Sequence, residues 1–236
     1  MMMVYDICLT LFFFSLIEAS VTCDQFTYPE LLEPLSAELQ TRILDLADKL
    51  EIKQQLCSFF ITPERLNSPA SVWQSLSQAW LNDSAYLLIQ RKKFAKFTDE
   101  EQLFILYHEL SHIKRNHTRS KYLWRFLKYT ATFLGGYSAY KLSSQQKNHL
   151  SLKLASAATG AYTAWFITCL ISYKKARDQE LQADQDALEW QKNKEAAIST
   201  LKKTIHFSPR SQHFLGRLFE YHPSIEERIR NLSLRS

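Results

Sequence analysis

Apolar and polar residues follow one another along this chain in several registers, and each register predicts a different element. From residue 34 to 50 the positions Leu35, Leu39, Ile43, Leu46 and Leu50 recur at steps of three and four, the period of one face of an amphipathic helix. Residues 56–61 and 85–90 are short apolar or β-prone runs separated by Asn, Ser and Pro, which predicts two strands with an irregular connection. The second strand is either an ordinary inner strand or an exposed edge that pairs with an extended peptide through main-chain hydrogen bonds; the pattern suits both. Thr98-Asp99-Glu100-Glu101 has the form of a capping box, and it opens an apolar run through Leu103, Phe104, Ile105, Leu106 and Tyr107. A largely buried helix is expected there.

Three further runs are apolar without alternation. Residues 7–17 have the length of a signal-peptide core, yet Asp6 and Glu18 bracket them and no Lys or Arg precedes Arg42. A signal or anchor and a buried or interfacial helix are both consistent with that pattern. Residues 154–173 carry no charge and are long enough to span a bilayer. Residues 129–140 are short for a span unless extended back to Tyr122 through Arg125 and Lys128, whose long side chains can snorkel. Small residues recur every fourth position in both, Ala131, Gly135 and Ala139 against Ser156, Gly160 and Ala164, which allows two helices to approach closely in lipid. The two runs predict a membrane-associated helical hairpin turning near residues 143–148. A soluble hairpin docked on the core, or a contact between copies in a homo-oligomer, is the alternative. The basic residues flanking the hairpin place the rest of the chain on the cytoplasmic side, whereas a working N-terminal signal would place it on the exported side.

Composition narrows this picture. With 46% hydrophobic and 22% charged residues, four glycines and six prolines, the chain is an ordinary folded one of long helices, and a turn-rich β-sandwich is disfavoured. The fold class expected is α+β, mainly helical, with a small sheet. The net charge of +5 resides in cations gathered round apolar segments without aromatic interleaving, which favours membrane contact over nucleic acid. Cys8, Cys23, Cys57 and Cys169 have no metal-ligand spacing, so any metal must be held by histidine and carboxylate.

The chemistry is concentrated at His108-Glu109-Leu110-Ser111-His112. Two histidines four apart share a helical face and can close on one zinc ion, and Glu109, one residue round the helix, is the candidate general base for amide hydrolysis. A third ligand is needed. The extended pattern HExxHxxGxxH fails, because Arg115 stands at its glycine and Thr118 at its last histidine, with His117 one residue out of register. His117 then reads as a polar residue at a helix end, where a partly cationic imidazole is favourable. The alternative is a carboxylate from a second helix. Glu180 and Asp184, again four apart, follow the hairpin; Glu180 would bind the metal and Asp184 would accept the second ring N–H of a ligand histidine. Taken alone, that stretch is an ordinary solvated charged face. Near the C-terminus, Pro223 can begin a helix and hold His222 at its entrance.

The combination of HELSH, an apolar hairpin, ELQAD and HPSIEER resembles the gluzincin peptidases that unite membrane CAAX prenyl endopeptidases, HtpX-type heat-shock peptidases and mitochondrial inner-membrane quality-control peptidases. The resemblance covers residues 37–236. It implies a zincin-type catalytic domain and a zinc endopeptidase with one Zn2+ per chain, held by His108, His112 and Glu180, with Glu109 as base. It also implies a supporting role for Asp184 and places His222 and Arg228 close to the site. His222 would donate to the tetrahedral oxyanion, close the resting site as a fourth ligand, or serve the structure only. Arg228 would pair with Asp184 or a substrate carbonyl, or lie plainly on a helix surface. The chain is thereby expected to divide into an apolar N-terminal segment (1–22), the first part of the zincin domain with the HExxH helix (23–119), the apolar hairpin (120–174) and the second part of the domain (175–236). The expected substrate is unfolded or extended polypeptide, in proteostasis or processing. The rival expectation is a zinc-stabilised chaperone or assembly factor that binds chains without cutting them, and a third is a metal-free helical membrane adaptor.

Overall fold

The computed structural model describes residues 32–52, 55–61, 68–74, 84–146, 149–205 and 222–234. The N-terminal apolar run at 7–17, Cys8 and Cys23 therefore lie outside the described residues. Two compact units are present: one contains residues 120–175, and the other residues 26–119 with 176–236.

The larger unit is built on a four-stranded sheet. Strands β1 (Leu32–Pro34), β2 (Gln55–Ile61), β3 (Ala70–Trp73) and β4 (Ser84–Ile89) lie in the order β1-β2-β4-β3. β2 and β4 run parallel, paired from Gln55 with Ser84 to Phe60 with Ile89, and β1 and β3 are added antiparallel on either side. The sequence pattern revealed two of these strands. Of the two roles open to it β4 takes the inner one, and among the described residues the sheet edge on that side is β3, whose Val72 pairs with Leu87.

Helix α1 (Ala37–Lys49), capped by Ser36, buries Ile43, Leu46 and Ala47, the face that its spacing predicts. After a short helix α2 (Arg91–Phe94), the central helix α3 (Asp99–Lys114) begins at a complete capping box. Glu101 N–H donates to Thr98 Oγ1 at 3.4 Å and Thr98 N–H to Glu101 Oε2 at 2.8 Å. These two bonds satisfy end donors of the helix that would otherwise lack partners.

α3 is apolar on two sides because it is covered on two sides. Ile105, Leu106, Leu110 and Ile113 join Ile43, Leu87 and Ile89 in a core between the sheet and α1. Phe104 belongs to a second core with Ala187, Ala197, Leu201, Ile225 and Leu232. That second core is supplied by the last part of helix α5 (Leu150–Gln191), by α6 (Lys194–Thr204) and by α7 (Ile225–Ser233). Burial on both sides fixes the rotation of α3, and hence the direction in which its polar residues point. Buried Glu101 strengthens the arrangement by accepting from Ser199 Oγ and Lys203 Nζ, each at 2.6 Å, which ties α6 to the start of α3.

The smaller unit contains most of α4 (His117–Gln145) and the first part of α5. The two arms are longer than the apolar runs suggest, and the second arm continues without a break into the stretch that carries Glu180 and Asp184. The arms meet through their small residues. A Cβ built on Gly160 would stand 2.5 Å from the Gly135 carbonyl oxygen and 2.7 Å from Ala139 Cβ. Only glycine permits that approach. The outward surface is apolar, with Leu134, Leu152, Leu154, Tyr162, Ile167 and Ile171 exposed. Among the described residues α5 alone is long and apolar enough to cross a membrane, and 6% of its most apolar window is buried.

Candidate metal centre

His108 and His112 lie one turn apart on the side of α3 left uncovered by the two cores, and their Nε2 atoms are 3.2 Å apart. Glu180, on α5, faces both. Its Oε2 is 3.6 Å from His108 Nε2 and its Oε1 is 3.4 Å from His112 Nε2. Ligand atoms held 2.0–2.1 Å from a tetrahedral zinc stand roughly 3.3–3.4 Å from one another; the two imidazole nitrogens are near that spacing, and each lies near it from one of the two Glu180 oxygens, so a small turn of the carboxylate would present one oxygen to a shared ion. One ligand atom from each residue falls within 4.8 Å of the others. The donor set of two imidazoles and a carboxylate suits zinc, and the three residues fit the ion.

Behind the ligands stands a row of charged partners. His108 Nδ1 lies 2.9 Å from Asp184 Oδ1, close enough for charge pairing though not aligned as a hydrogen bond. Arg228 of α7 grips the same carboxylate with both arms, Nε donating to Oδ2 at 2.6 Å. Burial works against the charge on Asp184, but Arg228 and His108 outweigh it and hold the carboxyl below its ordinary range. Burial likewise opposes ionisation of Glu180, yet His112, His108 and His222 keep it well below that range. The two histidines are driven apart. Burial lowers His108, but Asp184 and Glu180 overcome it and push it up to about 10, while burial takes His112 down to about 3. In the ion-free pair the imidazolium charge therefore belongs to His108 and His112 is neutral, and a divalent cation would take the place of the extra proton on His108.

Glu109 stands beside this row, within electrostatic reach of His108, Glu180 and His222. Its carboxyl is raised by burial, and it accepts a main-chain hydrogen bond from Val72 on the edge strand β3. The carboxylate thereby lies next to β3, which among the described residues is the outermost strand on that side of the sheet. His222, just before α7, has a side chain 65% exposed with Nδ1 3.1 Å from Glu180 Oε2. The structure therefore brings His108, His112, Glu180, Asp184, Arg228 and His222 into one connected cluster with Glu109 beside it.

Three contributors escaped the sequence pattern. Asp186 accepts from Ser111 Oγ at 2.6 Å and from Arg115 Nε and Nη2 at 2.6 and 2.8 Å, which clamps α5 to α3 next to the ligands. Ser111 was a usable signal, because a hydroxyl on the buried side of an apolar helix requires a partner. His117 is the third. It begins α4 and does not end a helix, it is buried, and burial lowers its pKa to about 4, so the partly cationic imidazole expected there is replaced by a neutral one.

Known proteins share this arrangement of elements. The Protease HtpX homolog of Helicobacter pylori (strain Shi470) is 24% identical over an alignment of 214 residues that covers 84% of this chain and 66% of that protein. The crystal structure of S. mikatae Ste24p matches 97% of this chain and 58% of its own with a TM-score of 0.65 at 19% identity, a likeness of fold. The chain thus spans less than two thirds of the length of either. The model of peptidase family M48 matches residues 34–236, a stretch that includes every described element from α1 to α7. By that match, the chain belongs to peptidase family M48.

Proposed function

We propose that this chain is a zinc-dependent endopeptidase that works at a membrane on unfolded or extended polypeptide. The observation that carries the reading is the convergence of one ligand atom each from His108, His112 and Glu180 within 4.8 Å, with Glu109 between the two histidines on α3. His108, His112 and Glu180 would hold one zinc ion per chain. Zinc in such a set supplies Lewis acidity, polarising water and the scissile carbonyl.

Glu109 takes the proton from the attacking water on its carboxylate and later delivers it to the leaving amine nitrogen. A carboxyl raised by burial is better suited to this transfer at neutral pH than an exposed one. Asp184, held by Arg228, orients the His108 ring. His222 is exposed and close to the ligand carboxylate, where its ring N–H can meet the carbonyl oxygen as negative charge develops. The edge of β3 beside Glu109 suits an extended peptide, whose main chain would pair with the strand whatever its side chains. That preference for backbone over side chain favours unfolded polypeptide as the substrate class.

The exposed apolar surface of the hairpin supports membrane association. Its leucines and isoleucines would be covered by lipid, and its glycine contact is of the kind that packs helices there.

The test is zinc content together with cleavage of an unstructured polypeptide by the detergent-solubilised protein and its Glu109→Gln variant. The expected result is about one zinc in each and cleavage by the unsubstituted protein alone, with a loss of at least ~10²–10⁴-fold in the variant. Zinc without cleavage in either would move the assignment to binding chains without cutting them. His222→Ala separates two roles: lost activity with zinc retained places it at the oxyanion, and raised activity makes it a residue that closes the resting site.

A further inference from the structure

His117 Nδ1 lies 2.8 Å from His112 Nδ1, on the side of the His112 ring opposite Glu180. The ring centroids are 4.9 Å apart and the planes inclined at 71°. This approach is built by the backbone. In an uninterrupted helix a residue five positions on is rotated by about 140°, which would carry His117 away from His112. Asn116 breaks the helix instead. Its φ of 53° is left-handed, a conformation that asparagine tolerates, and its N–H closes α3 on Ile113 O at 3.0 Å. α4 begins at His117 after that turn, and the imidazole meets His112 of the last turn of α3, where it is 8% exposed.

We propose that His117 is a positioning residue for the metal centre: its Nδ1 accepts the Nδ1–H of His112 and so fixes the tautomer in which His112 Nε2 turns its lone pair to the ion. The inference rests on the zinc reading above. It follows from a count of protons. A histidine that binds metal through Nε2 keeps its one ring proton on Nδ1, and a contact of 2.8 Å between two ring nitrogens needs one proton between them. The proton belongs to His112, so His117 carries its own on Nε2 and accepts through Nδ1. The two ligand histidines are then supported differently. His108 is backed by the Asp184 carboxylate, whose charge is neutralised by Arg228, whereas His112 is backed by an uncharged ring. An uncharged acceptor fixes orientation without adding a further negative charge to a centre that already holds Glu180.

The test is zinc affinity by chelator competition on the full chain in detergent, with thermal unfolding of the zinc-free form alongside. His117→Phe keeps a ring and removes the acceptor; His117→Asn places Oδ1 near the former Nδ1. The Phe variant is expected to bind zinc roughly 10–100-fold more weakly, and the Asn variant to recover most of that loss. Equal affinity in the Phe variant overturns the proposal, and so does equal weakening by Phe and Asn in step with zinc-free stability. A direct readout needs no substitution: ¹⁵N shifts of the zinc-loaded protein should show His112 protonated at Nδ1 and His117 unprotonated there, and the reverse overturns it. An unsubstituted protein that binds no zinc overturns the reading beneath as well, which separates the two failures.

Discussion

Helix α3 and the first part of α5 are both rich in large apolar residues, and they differ in what covers them. In α3, Leu106, Leu110 and Ile113 are 0% exposed, packed between sheet and helices of their own unit. On α5, Leu152, Ile167 and Ile171 are 52, 51 and 45% exposed. Among the described residues, partners pack against the first set and none of comparable extent against the second. An apolar run is therefore only half of an argument about burial; the other half is whether the chain has something to put against it. α3 is stabilised by the protein, and its polar face is held still enough to align three ligand atoms. By the membrane reading proposed above, lipid would cover the hairpin surface.

That contrast can be broken in order of expected effect. Leu110→Ala should destabilise the zinc-free protein by about 2–5 kcal/mol in detergent unfolding, because it leaves a cavity in the core, whereas Ile167→Ala should cost less than about 0.5 kcal/mol. Equal costs would end the comparison. Ile167→Asp should oppose insertion by about 2.5–3.5 kcal/mol, read as a shift from the membrane to the soluble fraction on alkaline extraction. A soluble hairpin would show no such shift. Gly160→Val should force the two arms apart and lower the thermal midpoint in detergent, at a cost of about 1–3 kcal/mol. A smaller effect concerns the clamps that hold α3. Burial opposes ionisation of Asp186 and Glu101, but Arg115 with Ser111, and Lys203 with Ser199, outweigh it and lower both carboxyls from their ordinary 3.8 and 4.5. A carboxyl lowered by folding contributes stability that is fully present above its unfolded pKa and is lost as pH falls through the folded value. Stability should therefore decline below about pH 4.5, and Asp186→Asn should flatten the acid limb of a denaturation curve measured against pH.

The same contrast accounts for what the sequence made legible. The capping box at Thr98, the spacing of Ile43 and Leu46 and the paired faces of His108 with His112 and Glu180 with Asp184 are local, so a helical period reveals them. β1 and β3 are not local. β1 is three residues with Pro34 at its end, and Ala70–Trp73 is four residues long, too short for alternation to register; both are strands only because β2 and β4 receive them. Asp186 was hidden in an acidic stretch whose other members face different ways, and His117 was misplaced because counting along a straight helix does not anticipate the turn at Asn116. The residues proposed as ligands were thus readable from spacing, and so was Asp184, one turn beyond Glu180. The clamp of Ser111 and Arg115 on Asp186 and the contact of His117 with His112 were not, since their partners lie 71 to 75 residues away or across a break in the helix.

The central claim is that His108, His112 and Glu180 bind the ion while Glu109 does not. Zinc content of purified protein carrying Glu180→Gln, compared with Glu109→Gln and the unsubstituted chain, tests it most directly. The account predicts about one zinc per chain in the unsubstituted protein and in Glu109→Gln, and a large loss in Glu180→Gln. Zinc retained at full occupancy in Glu180→Gln, or lost in Glu109→Gln, would contradict it.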